Sequence, residues 1–205
     1  SLHATKLLNT GEGGGCITTD SELNEKLKRI RFFGHDNTKN ISEDGFNGKM
    51  TEVHAALGLA NLKYFDSVLN DRKVKYKYYK DALSGIDGIY FQIEKFGETN
   101  YSYFPIIFES ESQLLKVESK LNENNIFPRR YFYPSVNTYK DIFENPIKVP
   151  ISEDISSRIL CLPLYFNLDF DTMSNIVNII RKNSFWFFCS NRVLGLTILK
   201  ILKIN

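Results

Sequence analysis

A proline-free stretch from residue 49 to residue 84 is the feature that most constrains the fold of this chain. Apolar side chains recur in it every three or four residues, which is the spacing of one face of a helix. The members of this stripe are Met50, Val53, Leu57, Ala60, Tyr64, Val68 and Leu69. The pattern predicts one long connecting helix over residues 49–84, with a bend near Asn70-Asp71.

The second half of this stretch mixes lysine with tyrosine, a composition also found in nucleic-acid-binding helices. At helical spacing, Val74, Tyr78 and Leu83 instead predict a buried face with the lysines in water. The charge of the chain agrees with this interpretation. The net charge is only +2, and without residues 184–205 the chain has 23 basic and 24 acidic residues. We therefore expect no nucleic-acid partner.

The segment before the long helix combines a glycine-rich run with short elements. The β-branched run Cys16-Ile17-Thr18-Thr19 predicts a strand, and Asp20-Ser21 provides caps for a helix over residues 22–33. Residues 34–48 are polar and contain turn signals, so they predict a loop long enough to meet a ligand.

After the long helix the pattern changes to alternating strands and helices. Strands are predicted over residues 101–108 and 125–132, and helices after a Ser110…Gln113 capping box and over residues 152–160. A last helix, capped by Asp169, has an apolar side made of Met173, Ile176, Ile179 and Ile180. The alternation predicts a small α/β domain over residues 85–183.

Several classes of protein are disfavoured by what the sequence lacks. The three cysteines, Cys16, Cys161 and Cys189, suggest reduced thiols, and the three histidines show no spacing typical of a metal site. No signal peptide is recognisable, so we expect a cytoplasmic protein. Residues 184–205 form an abruptly apolar tail. The tail contains no run of 18 apolar residues, the length needed to span a membrane.

Lys6 is the strongest candidate for chemistry. A lysine that forms an imine needs a neutral amine on a flexible stem. The hydroxyls of Ser1, Thr5 and Thr10 can bind a phosphate, and the glycines of residues 11–15 let the backbone approach a ligand. A single lysine is usually a solvated charge and a glycine run is usually a turn. Their combination points to pyridoxal 5'-phosphate as the cofactor.

The run Ser1-Leu2-His3-Ala4-Thr5-Lys6, followed by Thr10-Gly11-Glu12-Gly13-Gly14, resembles the cofactor-lysine signature of the DegT/StrS family of sugar-nucleotide aminotransferases. The resemblance continues in residues 45–59, in Tyr133-Pro134 and in residues 162–165, and covers about residues 1–183. It implies an α/β fold of the aspartate-aminotransferase-like type (fold type I). The family's chains are almost twice as long, with this lysine near the middle, so we expect the C-terminal half of such an enzyme, inactive alone.

The resemblance implies a division of the chain. Residues 1–48 would be the end of the large cofactor-binding domain, residues 49–84 the connecting helix, and residues 85–183 the small C-terminal domain. Residues 184–205 no longer resemble the family.

The resemblance also implies roles for three residues at the cofactor. Lys6 would hold the cofactor and move the proton at the substrate carbon. Ser1 would contact the cofactor phosphate, and Asn47 would reach the phosphate of a neighbouring subunit, which implies a homodimer with a shared site. Two of them have an ordinary alternative: Ser1 as an ordinary end residue, and Asn47 as a turn-forming residue ahead of the helix.

Four further residues are implied at the substrate: His35, Arg130, Tyr131 and Tyr133. The resemblance implies L-glutamate as the amino donor and a dTDP-4-keto-6-deoxy-hexose, a nucleotide sugar of O-antigen biosynthesis, as the acceptor. Many relatives have histidine where this chain has Asn137, so the role of that imidazole cannot be transferred.

Two alternatives remain open. Some relatives are sugar-nucleotide dehydratases, but these have histidine at the position of the cofactor lysine, and Lys6 therefore favours amino transfer. The other alternative is a non-catalytic remnant of such an enzyme, which the atypical tail would fit.

Overall fold

The computed structural model describes residues 1–93, 97–140, 142, 145 and 147–184. Within these ranges the chain forms six α-helices and three β-strands. Its internal contacts divide it into two compact units, one covering residues 1–68 and one beginning at Leu69. The predicted tail beyond Ser184 lies outside the described residues.

Unit 1 contains the helices α1 (Ser21–Arg31) and α2 (Glu52–Leu62). The predicted cap of α1 is confirmed, because the Asp20 carboxylate accepts hydrogen bonds from the backbone N–H groups of Glu22 (2.9 Å) and Leu23 (3.1 Å). The predicted strand over residues 16–19 is wrong. The side chain of Ile17 is fully exposed, and the described part of the chain offers this segment no neighbouring strand to pair with. A β-branched run becomes a strand only where a partner completes the ladder.

The single helix predicted over residues 49–84 is two helices. The second, α3, spans Phe65–Leu83, and residues 63–64 between them form a turn. At this turn the N–H of Tyr64 donates to the carbonyl of Asn61, three residues back, at 3.1 Å. The Asn61 side-chain amide donates to the carbonyl of Asn9 at 2.9 Å. A long-range contact of this kind has no signature in the periodicity, so the break lies before the predicted bend at Asn70-Asp71.

Unit 2 is built on an antiparallel three-stranded sheet in the order β1 (Ile89–Tyr90), β2 (Phe104–Phe108), β3 (Ile159–Leu162). Besides most of α3, unit 2 contains α4 (Glu111–Asn122), α5 (Pro150–Arg158) and α6 (Phe170–Ser184), and a 3-10 turn at Val136–Thr138. The fully buried core side chains are Tyr79, Leu83, Phe104, Ile106, Phe108, Leu114, Val117, Leu121, Leu160, Met173, Ile176 and Ile180.

Two predicted helix starts in unit 2 are confirmed. Ser110 Oγ accepts from the N–H of Gln113 at 3.3 Å, and Gln113 Oε1 accepts in return from the N–H of Glu109 at 3.2 Å. The Asp169 carboxylate accepts from the N–H of Thr172 at 2.7 Å. These short polar patterns are predictable because both partners lie within one turn.

The strand predicted over residues 125–132 is wrong. The described residues of this segment form only an isolated bridge between Arg129 and Cys161, and Asn125 has a positive φ of 59° that interrupts extended backbone. Only Arg129 of this segment pairs with β3, through its bridge to Cys161.

The buried face of α3 differs from the predicted one. Val74 is 58% exposed and Tyr78 is only partly buried, whereas Lys75, Tyr79 and Leu83 point into unit 2. The buried stripe runs through every fourth residue and includes a lysine, which the prediction had placed in water. Leu83 belongs to both stripes, so the prediction is confirmed at Leu83 and wrong at Val74 and Lys75.

Lys75 and Tyr79 bind the segment that follows β3. The ammonium of Lys75, 3% exposed, lies 2.5 Å from Asp71 Oδ2 and donates to the carbonyl of Tyr165 at 3.2 Å. The Tyr79 hydroxyl donates to the carbonyl of Pro163 at 3.1 Å. Burial raises the pKa of the Tyr79 hydroxyl far above its ordinary value. Two side chains of α3 thus fix the segment over residues 162–165.

None of the helices among the described residues is long and apolar enough to cross a membrane.

Candidate active site

Lys6 closes a tight turn at the start of unit 1. Its backbone N–H donates to the carbonyl of His3 at 2.9 Å, and His3 Nδ1 lies 2.9 Å from the Thr5 hydroxyl. The N–H of His3 lies 3.4 Å from the hydroxyl oxygen of Ser1. The side chains of Ser1 and Lys6 are exposed, and within the described part of the chain the Lys6 ammonium has no hydrogen-bond or ion-pair partner. The amine is therefore available to a ligand while its backbone is held.

Thr10 anchors the loop that contains Lys6. It is buried, its N–H donates to the carbonyl of Leu2 at 2.9 Å, and its hydroxyl donates to the carbonyl of Glu12 at 2.6 Å. The N–H of Leu2 donates to the carbonyl of Gly13 at 2.8 Å. α2 approaches closely here, since a Cβ at Gly58 would lie 2.6 Å from the Thr10 methyl group. The contact fixes the lysine loop on α2.

The polar loop over residues 34–48 is ordered by its own contacts. The Asp36 carboxylate accepts from the backbone N–H groups of Thr38 (2.8 Å) and Asn40 (3.0 Å). The hydrogen bond from the Thr38 hydroxyl lowers the pKa of Asp36. Gly34 has a φ of +76°, and a Cβ there would lie 1.8 Å from the carbonyl oxygen of Glu43. Only glycine fits at this crossing of two backbone segments.

Asn47 lies near the end of this loop and is oriented by Lys49. The Lys49 ammonium donates to Asn47 Oδ1 at 2.7 Å and lies 4.1 Å from the ring centroid of Phe33 and 5.0 Å from that of Phe32. The partner of the amide oxygen is a cation, so the two amide hydrogens of Asn47 point elsewhere. His35, half-buried, packs edge-on against the ring of Phe32 at 5.8 Å. Phe32, Phe33 and Lys49 were not predicted as site residues, although Lys49 lies in residues 45–59, which resemble the family.

Arg130 of unit 2 is engaged inside its own unit. Its guanidinium donates to Glu111 Oε1 at 2.7 Å and to the carbonyl of Ser157 at 2.6 Å. The guanidinium carbon also lies 3.7 Å from the ring centroid of Tyr133. These contacts connect α4 to the end of α5, so Arg130 has a structural role, and its contact with a substrate stays a prediction.

Three aromatic rings next to Arg130 form a ladder, which we define as Tyr103, Tyr131 and Phe132. The Tyr103 and Tyr131 rings meet edge to face at 5.5 Å and 87°, and the Tyr131 and Phe132 rings stack at 4.7 Å and 17°. Arg129 is exposed, donates to the Tyr131 hydroxyl, and has its guanidinium carbon 5.5 Å from the Tyr131 ring centroid. The sequence pointed to Tyr131 but not to Phe132 or to the order of the rings.

Asn137 is fully engaged. Its amide nitrogen donates to the carbonyl of Ile147 at 2.9 Å and to Glu153 Oε1 at 2.7 Å, and its amide oxygen accepts from the Ser135 hydroxyl at 2.6 Å. The residue that departs from the family pattern therefore holds the 3-10 turn against α5.

The predicted site residues thus fall into two groups. Ser1, Lys6, His35 and Asn47 belong to unit 1, whereas Arg130, Tyr131 and Tyr133 belong to unit 2. Among the described residues no three His, Cys, Asp or Glu side chains lie close enough to hold a metal ion.

Comparisons with known proteins converge on one family. The model of the DegT/DnrJ/EryC1/StrS aminotransferase family matches residues 1–181. The chain is 39% identical over 188 residues to a dTDP-4-amino-4,6-dideoxy-D-glucose transaminase of Shigella dysenteriae, covering 89% of this chain and 51% of the relative. It is 31% identical over 176 residues to the Escherichia coli transaminase of the same name, covering 82% of this chain and 47% of the relative.

A solved structure agrees in fold. The Helicobacter pylori aminotransferase PseC, involved in the biosynthesis of pseudoaminic acid, superimposes with a TM-score of 0.76 at 25% identity, covering 89% of this chain and 52% of PseC. The chain spans about half the length of the curated relatives it matches.

Proposed function

The chain belongs to the DegT/DnrJ/EryC1/StrS aminotransferase family, and we propose that it contributes half of the active site of a sugar-nucleotide aminotransferase. In this proposal the amino group of L-glutamate is transferred to the keto group of a dTDP-4-keto-6-deoxy-hexose. The support is the 39% and 31% identity to two dTDP-4-amino-4,6-dideoxy-D-glucose transaminases. The fold is the α/β fold type I of this family.

Pyridoxal 5'-phosphate is the cofactor of this family, and the residues of unit 1 fit it. Lys6 offers an amine with no partner among the described residues, Ser1 offers an exposed hydroxyl, and Asn47 offers two amide hydrogens. An amine and neutral donors of this kind are the groups that an aldehyde and a phosphate require. When bound, the cofactor supplies an electron sink for cleavage at the substrate carbon.

The amine of Lys6, which has no partner in the part of the chain that the structure describes, is the observation that carries the proposal. Its backbone is fixed by the hydrogen bond to His3 and by the anchored Thr10, while its four-carbon stem remains free to move. Such a side chain can hold the cofactor and, once displaced by the donor, take the proton from one carbon and return it to another. Lys6 Nζ would therefore act both as the attachment point and as the proton carrier.

Ser1 and Asn47 complete the cofactor part of the proposal. The Ser1 hydroxyl would donate to the cofactor phosphate. Asn47 would donate its amide hydrogens to the phosphate held by a second copy, with Lys49 keeping the amide oxygen turned away. The active form would then be a homodimer in which each site takes residues from both subunits. On the substrate side, His35, Arg130, Tyr131 and Tyr133 remain the proposed contacts.

Covalent labelling of Lys6 tests this proposal. The chain is incubated with pyridoxal 5'-phosphate, reduced with borohydride, digested and mapped by mass spectrometry. We expect the phosphopyridoxyl group on Lys6 in preference to every other lysine, together with a visible absorbance before reduction that is lost in Lys6→Ala.

Lys63 is the matched control. It is exposed, lies in unit 1 and has no acidic partner within the described residues. Lys63→Ala should leave the absorbance unchanged. Equal labelling of Lys6 and Lys63 would refute a special role for Lys6 and favour a non-catalytic chain.

A further inference from the structure

Phe132 is the exposed end of the aromatic ladder. One face of its ring lies on Tyr131 at 4.7 Å, and Tyr131 is in turn held edge-on by Tyr103. Phe132 is nevertheless 69% exposed. A ring that is fixed on one side and open on the other is a preformed stacking surface, because little side-chain freedom is lost when another flat group is added.

The charge beside the ladder is positive. Arg129 is exposed and contacts Tyr131, and within the described part of the chain it has no carboxylate partner. Its neighbour Arg130 is already paired with Glu111 at 2.7 Å. Arg129 therefore offers N–H donors that suit phosphate oxygens, next to a surface that suits a flat ring.

We propose that the open face of Phe132 is a stacking subsite for the base of a nucleoside diphosphate, and that Arg129 binds its diphosphate. This inference rests on the proposed function and identifies which part of the nucleotide sugar unit 2 would recognise. Every base has a π-face, so stacking on Phe132 does not discriminate between bases. The Arg129 guanidinium recognises the phosphates. Phe132 and Arg129 would thus set affinity for the carrier nucleotide.

A titration of the chain with dTDP, observed by NMR, tests the subsite. A base that stacks on Phe132 should show upfield shifts of its H6 and methyl resonances. Loss of one stacking ring should raise the dissociation constant about 5- to 150-fold, and we expect this for Phe132→Ala. Phe132→Tyr keeps the ring face and should bind dTDP as the unchanged chain does.

Phe127 provides the matched control, since it is 68% exposed but belongs to no ring contact among the described residues. Phe127→Ala should leave dTDP affinity unchanged. Unchanged resonances of the buried Tyr79 ring in each variant show that unit 2 is still folded. No binding of dTDP, the same affinity in Phe132→Ala as in the unchanged chain, or an equal loss in Phe127→Ala would overturn the inference.

Thymidine and inorganic pyrophosphate separate the two halves of the subsite. Arg129→Gln should weaken binding of dTDP and pyrophosphate, reduce the salt dependence, and leave thymidine unaffected. An equal effect on thymidine would overturn the assignment of Arg129. Lys6 labelling by pyridoxal 5'-phosphate is measured on the same variants. If Lys6 is labelled but dTDP does not stack on Phe132, this subsite alone is refuted. If dTDP stacks but Lys6 is not labelled, the cofactor role of Lys6 alone is refuted.

Discussion

Replacing Asp71 with asparagine should destabilise unit 2 by leaving a buried ammonium without its counter-charge. The Lys75 ammonium is 3% exposed and lies 2.5 Å from Asp71 Oδ2, and its other partner is the neutral carbonyl of Tyr165. A hydrogen bond between charged groups contributes about 1.5–3 kcal/mol, and removing one partner of a fully buried pair costs about 3–5 kcal/mol. Asp71 is 28% exposed, so water screens part of the interaction. We expect a loss of about 2 kcal/mol.

Urea unfolding followed through the NMR signals of the Tyr79 ring reports on unit 2 alone, because this side chain is fully buried in its core. With an m-value of about 1–3 kcal/mol per molar urea, the expected loss shifts the midpoint by about 1 M. The double variant Asp71→Asn/Lys75→Met should recover part of the loss, since it leaves no unpaired charge in the interior.

Asp81→Asn is the control, because Asp81 is exposed on the same helix and has no ion-pair partner among the described residues. It should change stability by less than about 0.5 kcal/mol. The reasoning is refuted if Asp71→Asn is no more destabilising than Asp81→Asn, or if the double variant is less stable than Asp71→Asn alone.

Two other perturbations address thiol reactivity and the polar loop. Burial raises the pKa of the Cys161 thiol to about 11, so at pH 8 iodoacetamide should modify the exposed Cys16 far faster than Cys161. The two modification rates are measured by peptide mapping in a Cys189→Ser background, and equal rates would contradict the prediction. Gly34→Ala should destabilise unit 1 more than Gly11→Ala, because both glycines have a φ of +76° but only a Cβ at Gly34 would meet a backbone oxygen at 1.8 Å. If the urea midpoints of the two variants coincide, the φ angle alone sets the loss of stability and the prediction is wrong.

Local polar patterns were the most predictable part of the fold. Asp20, Ser110 and Asp169 each cap a helix as the sequence indicated, and the apolar side of α6 includes the predicted Met173 and Ile176. Each capping side chain and the backbone N–H groups it accepts from lie within a few residues of each other, and the apolar side of α6 follows from helical spacing. Both depend on local chain geometry.

Strand pairing and the buried face of a helix were not predictable in the same way. The run at residues 16–19 has the composition of a strand, but no neighbouring strand is available to it among the described residues. On α3 the predicted Leu83 is buried, but Val74 is exposed and its neighbour Lys75 is buried instead. A hydrophobicity pattern cannot anticipate that a carboxylate and a carbonyl will meet a lysine inside a core.

By itself the sequence determined the family, the cofactor that the family uses and the candidate lysine, because these depend on residue types in short, contiguous runs such as residues 1–6. Only the tertiary structure showed that the Lys6 amine has no partner in the described chain, that Arg130 is engaged by Glu111, and that Phe132 ends a ladder of rings. The physical reason is distance along the chain. Whether a side chain is free or occupied is decided by groups that come from other segments, and such contacts exist only after folding.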